Sequence, residues 1–150
     1  LAMFFDRPAA FNDILHLTSS VVSGSLALRL LLPAASVQWS TVDMDIYVPR
    51  SEVIIVMAYL AQHNYQVIHV GANRPPYSHS SIHTIVAMAN STRKIDIVVS
   101  ITENAVRPIF QYHSTIMMNY IASDGFFAAY PKMTNHYRAL VNVMSLRDER

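Results

Sequence analysis

Val22-Ser23-Gly24-Ser25 and, further on, Asp43-Met44-Asp45-Ile46 are the two stretches whose reading decides the fold. In the first, the short β-branched run Ser19 to Ser23 is ended by Gly24, and Leu26 to Leu32 is rich in helix formers and stops at Pro33. A strand, a tight Gly-Ser turn and a helix are expected. Glycine at such a turn lets the backbone approach a ligand closely, and the following amides point outward at the positive end of the helix dipole. Ser25 adds a hydroxyl. In the second stretch Asp43, Asp45 and Tyr47 alternate with Met44, Ile46 and Val48 over Val42 to Val48, the pattern of a half-buried strand. Aspartates at i and i+2 of a strand share a face with Cα atoms about 6.5–7 Å apart, so both carboxylates reach one pair of divalent cations. Magnesium takes hard oxygen ligands and shares its shell with substrate phosphates, so a paired-carboxylate strand beside a phosphate-cradling turn is chemically coherent.

A third carboxylate joins them. Ile82 to Ala89 and Lys94 to Ile101 read as strands separated by the hairpin loop Asn90-Ser91-Thr92-Arg93. Asp96 shares a face of the second with Lys94, Val98 and Ser100, while Ile95, Ile97 and Val99 face the core. Around these lie an amphipathic helix from Pro8 to Leu17 and a connector from Pro33 to Thr41. Val53 to Gln62 is a helix apolar nearly all round, so burial on more than one side is expected, with Ser51 as its cap. Tyr65 to Val70 is a strand and Gly71 to Ser80 a loop. Ala105 to Tyr112 and Ser114 to Ala122 have helical character, the latter capped by Ser114; Asp124-Gly125 is a turn and Phe126 to Tyr130 an edge strand. His136 to Leu146 is expected to close the chain as an amphipathic helix with Leu140, Val141, Val143 and Met144 inward. The order is α+β, with helices flanking a mixed sheet of four or five strands in one domain over residues 1–150.

The succession Ser23-Gly24-Ser25, Asp43-Met44-Asp45-Ile46 and Ile95-Asp96-Ile97 resembles the DNA polymerase β-like nucleotidyltransferase superfamily, whose hallmark is hG[GS], Dh[DE]h and a third h[DE]h on one sheet. The resemblance spans Ser23 to Ile97 and implies the polymerase β-like fold, a mixed sheet with flanking helices. It also implies transfer of a nucleoside monophosphate from a nucleoside triphosphate, ATP among the candidates, using two divalent cations, Mg²⁺ or Mn²⁺. On that resemblance Asp43 and Asp45 are metal ligands, Asp96 is a ligand or the base that activates the acceptor, and Ser23, Gly24 and Ser25 belong to the phosphate-binding turn. The 17 residues between Ser25 and Asp43 exceed the family's usual spacing and mark an extended connector. Within these 150 residues no accessory helical domain of the kind that grips nucleic acid is expected, so a small-molecule or protein hydroxyl is the expected acceptor. More loosely, His113-Ser114-Thr115 with Ala129-Tyr130-Pro131 is similar to nucleotidyltransferase-like proteins of mushroom-forming fungi, which supply no activity to carry over. The alternative is a catalytically inactive module of the same fold that binds a nucleotide or a partner, and a third reading is an unrelated α+β domain whose acids stand apart.

Composition narrows the field. At 150 residues about 68–70% of the unfolded surface can be buried, enough for one core. Eleven Lys and Arg against ten Asp and Glu, scattered along the chain, leave no strong nucleic-acid footprint. With no cysteine, disulfides, Cys-ligated zinc and thiol catalysis are excluded, and an intracellular, cytoplasmic setting is expected. No apolar run is long enough to span a bilayer and no export signal is read at the start; opening on Leu1, the chain reads as a possible piece of a longer protein. An apolar content of 52% leaves surface for a partner or a homo-oligomer. His79 and His83 lie across a loop and a strand and read as solvated. Arg74, Arg93 and Lys94 as phosphate contacts, and Tyr77 as a stacking platform, are weaker than ordinary surface placement.

Overall fold

A computed structural model describes residues 1–72 and 81–141 of the chain. The elements are α1 (Pro8–Leu17), β1 (Val21–Ser23), α2 (Gly24–Leu31), β2 (Asp43–Val48), α3 (Val53–Gln62), β3 (Gln66–Ala72), β4 (Ile82–Ala89), β5 (Lys94–Ser100), β6 (Asn119–Ala122), β7 (Gly125–Ala128) and α4 (Pro131–Asn135). The strands form one mixed sheet in the order β3-β4-β5-β2-β1-β6-β7, where only β2 and β5 run parallel. The α+β class and flanking helices are as expected; among the described residues the sheet has seven strands rather than four or five. Among the described residues no helix is long and apolar enough to cross a membrane.

Alternation along the central strands sorts their side chains onto two faces. Val22, Met44, Ile46, Val48, Ile95, Ile97 and Val99 are at most 1% exposed and pack against Phe11 and Leu15 of α1, Leu26 of α2 and Val56 and Leu60 of α3 in one cluster. Phe5 stacks on Phe11 with ring centroids 4.3 Å apart, and the Tyr65 hydroxyl donates to the Phe4 carbonyl at 3.0 Å, tying the N-terminus to this layer. The opposite face carries a smaller cluster, Val21, Tyr47, Val98, Ala105 and Ile109, and then gives way to the acids. Between β4 and β5 the hairpin closes because the Asn90 side-chain oxygen accepts from the amides of Thr92 and Arg93 at 3.0 and 2.8 Å.

Several expectations are corrected. α3 buries Val56, Tyr59 and Leu60 but leaves Ile54 and Ile55 69% and 41% exposed, because the sheet covers only one side of it. Ser51 does not cap it: the helix continues a 3₁₀ turn at Arg50–Glu52, and the Ser51 hydroxyl donates to Glu103 at 2.5 Å. Gly71 and Ala72 extend β3, and the rest of the expected loop, with Arg74, Tyr77 and His79, lies outside the described residues. Ala105 to Tyr112 holds one 3₁₀ turn at Arg107–Gln111. Ser114 to Ala122 is not a helix: a 3₁₀ turn at Thr115–Met117, with no side-chain cap from Ser114, leads into β6. There long-range pairing overrides local helical spacing, since Ile121 lies opposite Val22 on one side and Phe126 on the other. The helix expected at His136 to Leu146 is absent over 136–141, where Tyr137 adopts φ 55° just after α4 and Leu140 and Val141 are exposed; 142–146 lie outside the described residues.

Candidate active site

Strand β2 is the axis of the site. Its antiparallel neighbour sets Ser23 opposite Asp45, and its parallel neighbour sets Lys94 beside Asp43 and Asp96 beside Asp45. Residues paired in register project to the same face, so Asp43, Asp45 and Asp96 meet on one side of the sheet, opposite the main core. The three acids therefore do not stand in separate regions of the chain's fold.

Gly24 closes the site from the β1 side. It begins α2 with φ +71°, a conformation L side chains rarely take, and a Cβ there would fall onto Asp45 Oδ2 and within 3.0 Å of Asp45 Cγ. The position therefore demands glycine twice over, for its backbone and for the carboxylate pressed against it. Ser23 makes no side-chain cap to α2; it is fully buried and its hydroxyl donates to the Asn119 carbonyl at 2.5 Å. Of the expected turn, Gly24 and Ser25 line the cavity beside the acids, while the Ser23 side chain is committed to β6.

Electrostatically the site is short of positive charge. The Asp45 carboxyl is pushed up to about 7, first by burial and then by the charges of Asp96 and Asp43, with Lys94 pulling the other way. Lys94 Nζ donates to Asp96 Oδ2 at 2.7 Å, the ion pair formed within the site, and this bond raises the Lys94 ammonium above its ordinary value. Arg93 points elsewhere: its guanidinium lies 5.6 Å from the Phe4 ring centroid and donates to the Met3 carbonyl.

A cavity of about 340 Å³ runs from Gly24, Ser25, Asp45 and Asp96 to an apolar wall that includes Ile85 and Met117. Tyr47 and Tyr112 also line it and share a hydroxyl–hydroxyl hydrogen bond. This wall was not foreseen from the sequence, because residues of β4 and of the 107–117 segment reach it only through folding; the outward alternation of Tyr47 with Asp45 was the single local signal. A larger cavity of about 530 Å³, between Leu30 of α2 and Phe126 of β7, has no ionisable side chain in its lining, so the chemistry points to the smaller one.

Two carboxylates of β2 could hold a hydrated divalent cation shared with a substrate. Asp43 and Asp45 offer hard oxygens from one strand face, and a desolvated carboxyl crowded by two others is the environment that a cation relieves. Among the described residues no group of three or more His, Asp or Glu side chains is assembled as a metal cage, so remaining ligands would have to come from water and substrate oxygens. No protein-family model matches the chain, and no curated protein matches it.

Proposed function

We propose that this chain is a Mg²⁺- or Mn²⁺-dependent nucleotidyltransferase of the polymerase β-like fold, moving a nucleoside monophosphate from a nucleoside triphosphate to a small-molecule or protein hydroxyl. The observation that carries the reading is the register: Asp45 beside Asp96, with Gly24 against Asp45 in a conformation only glycine holds comfortably, all opening on one cavity. Asp43 and Asp45 would hold the cation, which when bound would neutralise the triphosphate and the charge gathering on the departing pyrophosphate. The uncapped start of α2 offers its amides and the Ser25 hydroxyl to phosphate oxygens. The apolar wall offers a surface for the nucleobase or the acceptor. In the transfer the acceptor oxygen bonds to the α-phosphorus, the bond to the pyrophosphate oxygen breaks, and the hydroxyl proton leaves toward a carboxylate such as Asp96.

A second reading, a non-catalytic module of the same fold, is favoured by the exposed apolar edge strand β3, where Val67, Ile68 and Val70 are 47%, 59% and 60% exposed. One titration tests the first reading. Calorimetry with ATP, GTP, CTP and UTP, with and without Mn²⁺, is expected to give metal-dependent binding that disappears in Asp43→Ala/Asp45→Ala. Unchanged metal-dependent affinity in the folded double variant would sink the enzyme reading.

A further inference from the structure

The ion pair on Asp96 assigns that carboxylate a role that the triad of acids leaves open. Lys94 and Asp96 lie two residues apart on one face of β5, and the ammonium reaches Asp96 Oδ2 rather than extending to solvent. Asp96 is 19% exposed and Lys94 45%, so the pair sits at the rim with its carboxylate end inside the site. The register also sets Lys94 beside Asp43, which places a positive charge on the chain itself within the acidic group.

We propose that Lys94 is a tethered cation that holds Asp96 out of the metal shell, so that the chain takes up one divalent ion, through Asp43 and Asp45, and keeps Asp96 Oδ1 for the acceptor's proton. The inference rests on the nucleotidyltransferase reading and refines it. An ammonium 2.7 Å from Oδ2 supplies to that oxygen the charge a second cation would otherwise bring. A divalent ion shared between Asp45 and Asp96 would meet its repulsion. Held at one oxygen, the carboxylate also loses rotational freedom, which orients the remaining oxygen. Lys94 is thus a positioning residue, acting through Asp96.

The test counts ions directly. Manganese binding to the full chain, with a non-hydrolysable triphosphate analogue present, is followed by electron paramagnetic resonance and calorimetry for wild type, Lys94→Met and Lys94→Arg. Wild type and Lys94→Arg are expected to bind a single Mn²⁺ per chain. Lys94→Met should admit a second ion, or hold the first about tenfold more tightly, since a repelling charge is gone. Asp96→Asn serves as the second variant: it should retain the single ion, whereas loss of that ion overturns the assignment. Two ions on wild type, or a Lys94→Met protein indistinguishable from it, overturn the role of Lys94 while leaving the nucleotidyltransferase reading intact. No Mn²⁺ on any variant overturns both.

Discussion

The two faces of strands β2 and β5 are built from alternate residues of the same chain segments, yet they obey opposite rules. On one face Met44, Ile46, Val48, Ile95, Ile97 and Val99 are shut from water beneath α1, α2 and α3. On the other, Asp43, Asp45 and Asp96 share one side of the sheet, Asp45 pressed against Gly24 and Lys94 paired with Asp96. The first face stabilises the fold, each fully buried aliphatic side chain contributing roughly 1.5–3 kcal/mol. The second works against it, because a carboxyl pushed up to about 7 by burial and like charge is ionised at a cost. Such a face is tolerable because the apolar layer behind it holds the backbone in register, and its charge deficit is what makes it receptive to a cation.

The largest way to break this contrast is to hollow the apolar face. Ile97→Ala, at a fully buried position, should cost about 2–5 kcal/mol in urea unfolding, and a loss under 1 kcal/mol would mean the layer is not close-packed. Next comes the meeting point of the faces. Gly24→Ala should cost about 2–4 kcal/mol from a left-handed φ and the collision with Asp45. In an Asp45→Ala background, where the struck oxygen is gone, the penalty should shrink to about 1–2 kcal/mol of backbone strain. Equal penalties in both backgrounds would remove the contact with Asp45 from the argument.

Smallest, and opposite in sign, is the effect of neutralising the acidic face. The folded protein keeps a proton on Asp45 up to about pH 7, whereas the unfolded chain releases it near pH 4. The native state therefore binds more protons across that window, and its stability falls as pH rises through it, levelling off above the folded value. Asp45→Asn does not titrate, so it should be more stable than wild type by about 1–3 kcal/mol at pH 8, with the gain fading toward pH 4. Denaturant midpoints at the two pH values check this, and a gain independent of pH would point to packing rather than charge.

Much of this was legible locally. Alternation bounded by Pro49 marked β2, the Asn90 to Arg93 loop marked the hairpin, and Gly24 between a β-branched run and a leucine-rich one marked the turn. In the C-terminal third the turn at Asp124 and the edge strand at Phe126 were legible, but the segment before them was not, for a physical reason. Asn119 to Ala122 continues a segment of helical spacing and becomes a strand because β1 and β7 offer backbone partners on either side. The outer face of α3 misled in the opposite sense, since Ile54 and Ile55 read as core although the sheet reaches only one side of the helix. For Lys94 the shared face with Asp96 was readable, but the ion pair was not.

From the order of residues alone came the identity of the faces, because a strand's period of two is local geometry and needs no partner. Folding decided their encounter. β2 and β5 are parallel and separated in the chain by α3, β3 and β4, so no turn sets their register; the fit of Met44, Ile46 and Val48 with Ile95, Ile97 and Val99 in the buried layer does. A slip of one residue would turn the acids inward and the core outward. The carboxylates stand side by side because the apolar residues between them have only one way to pack.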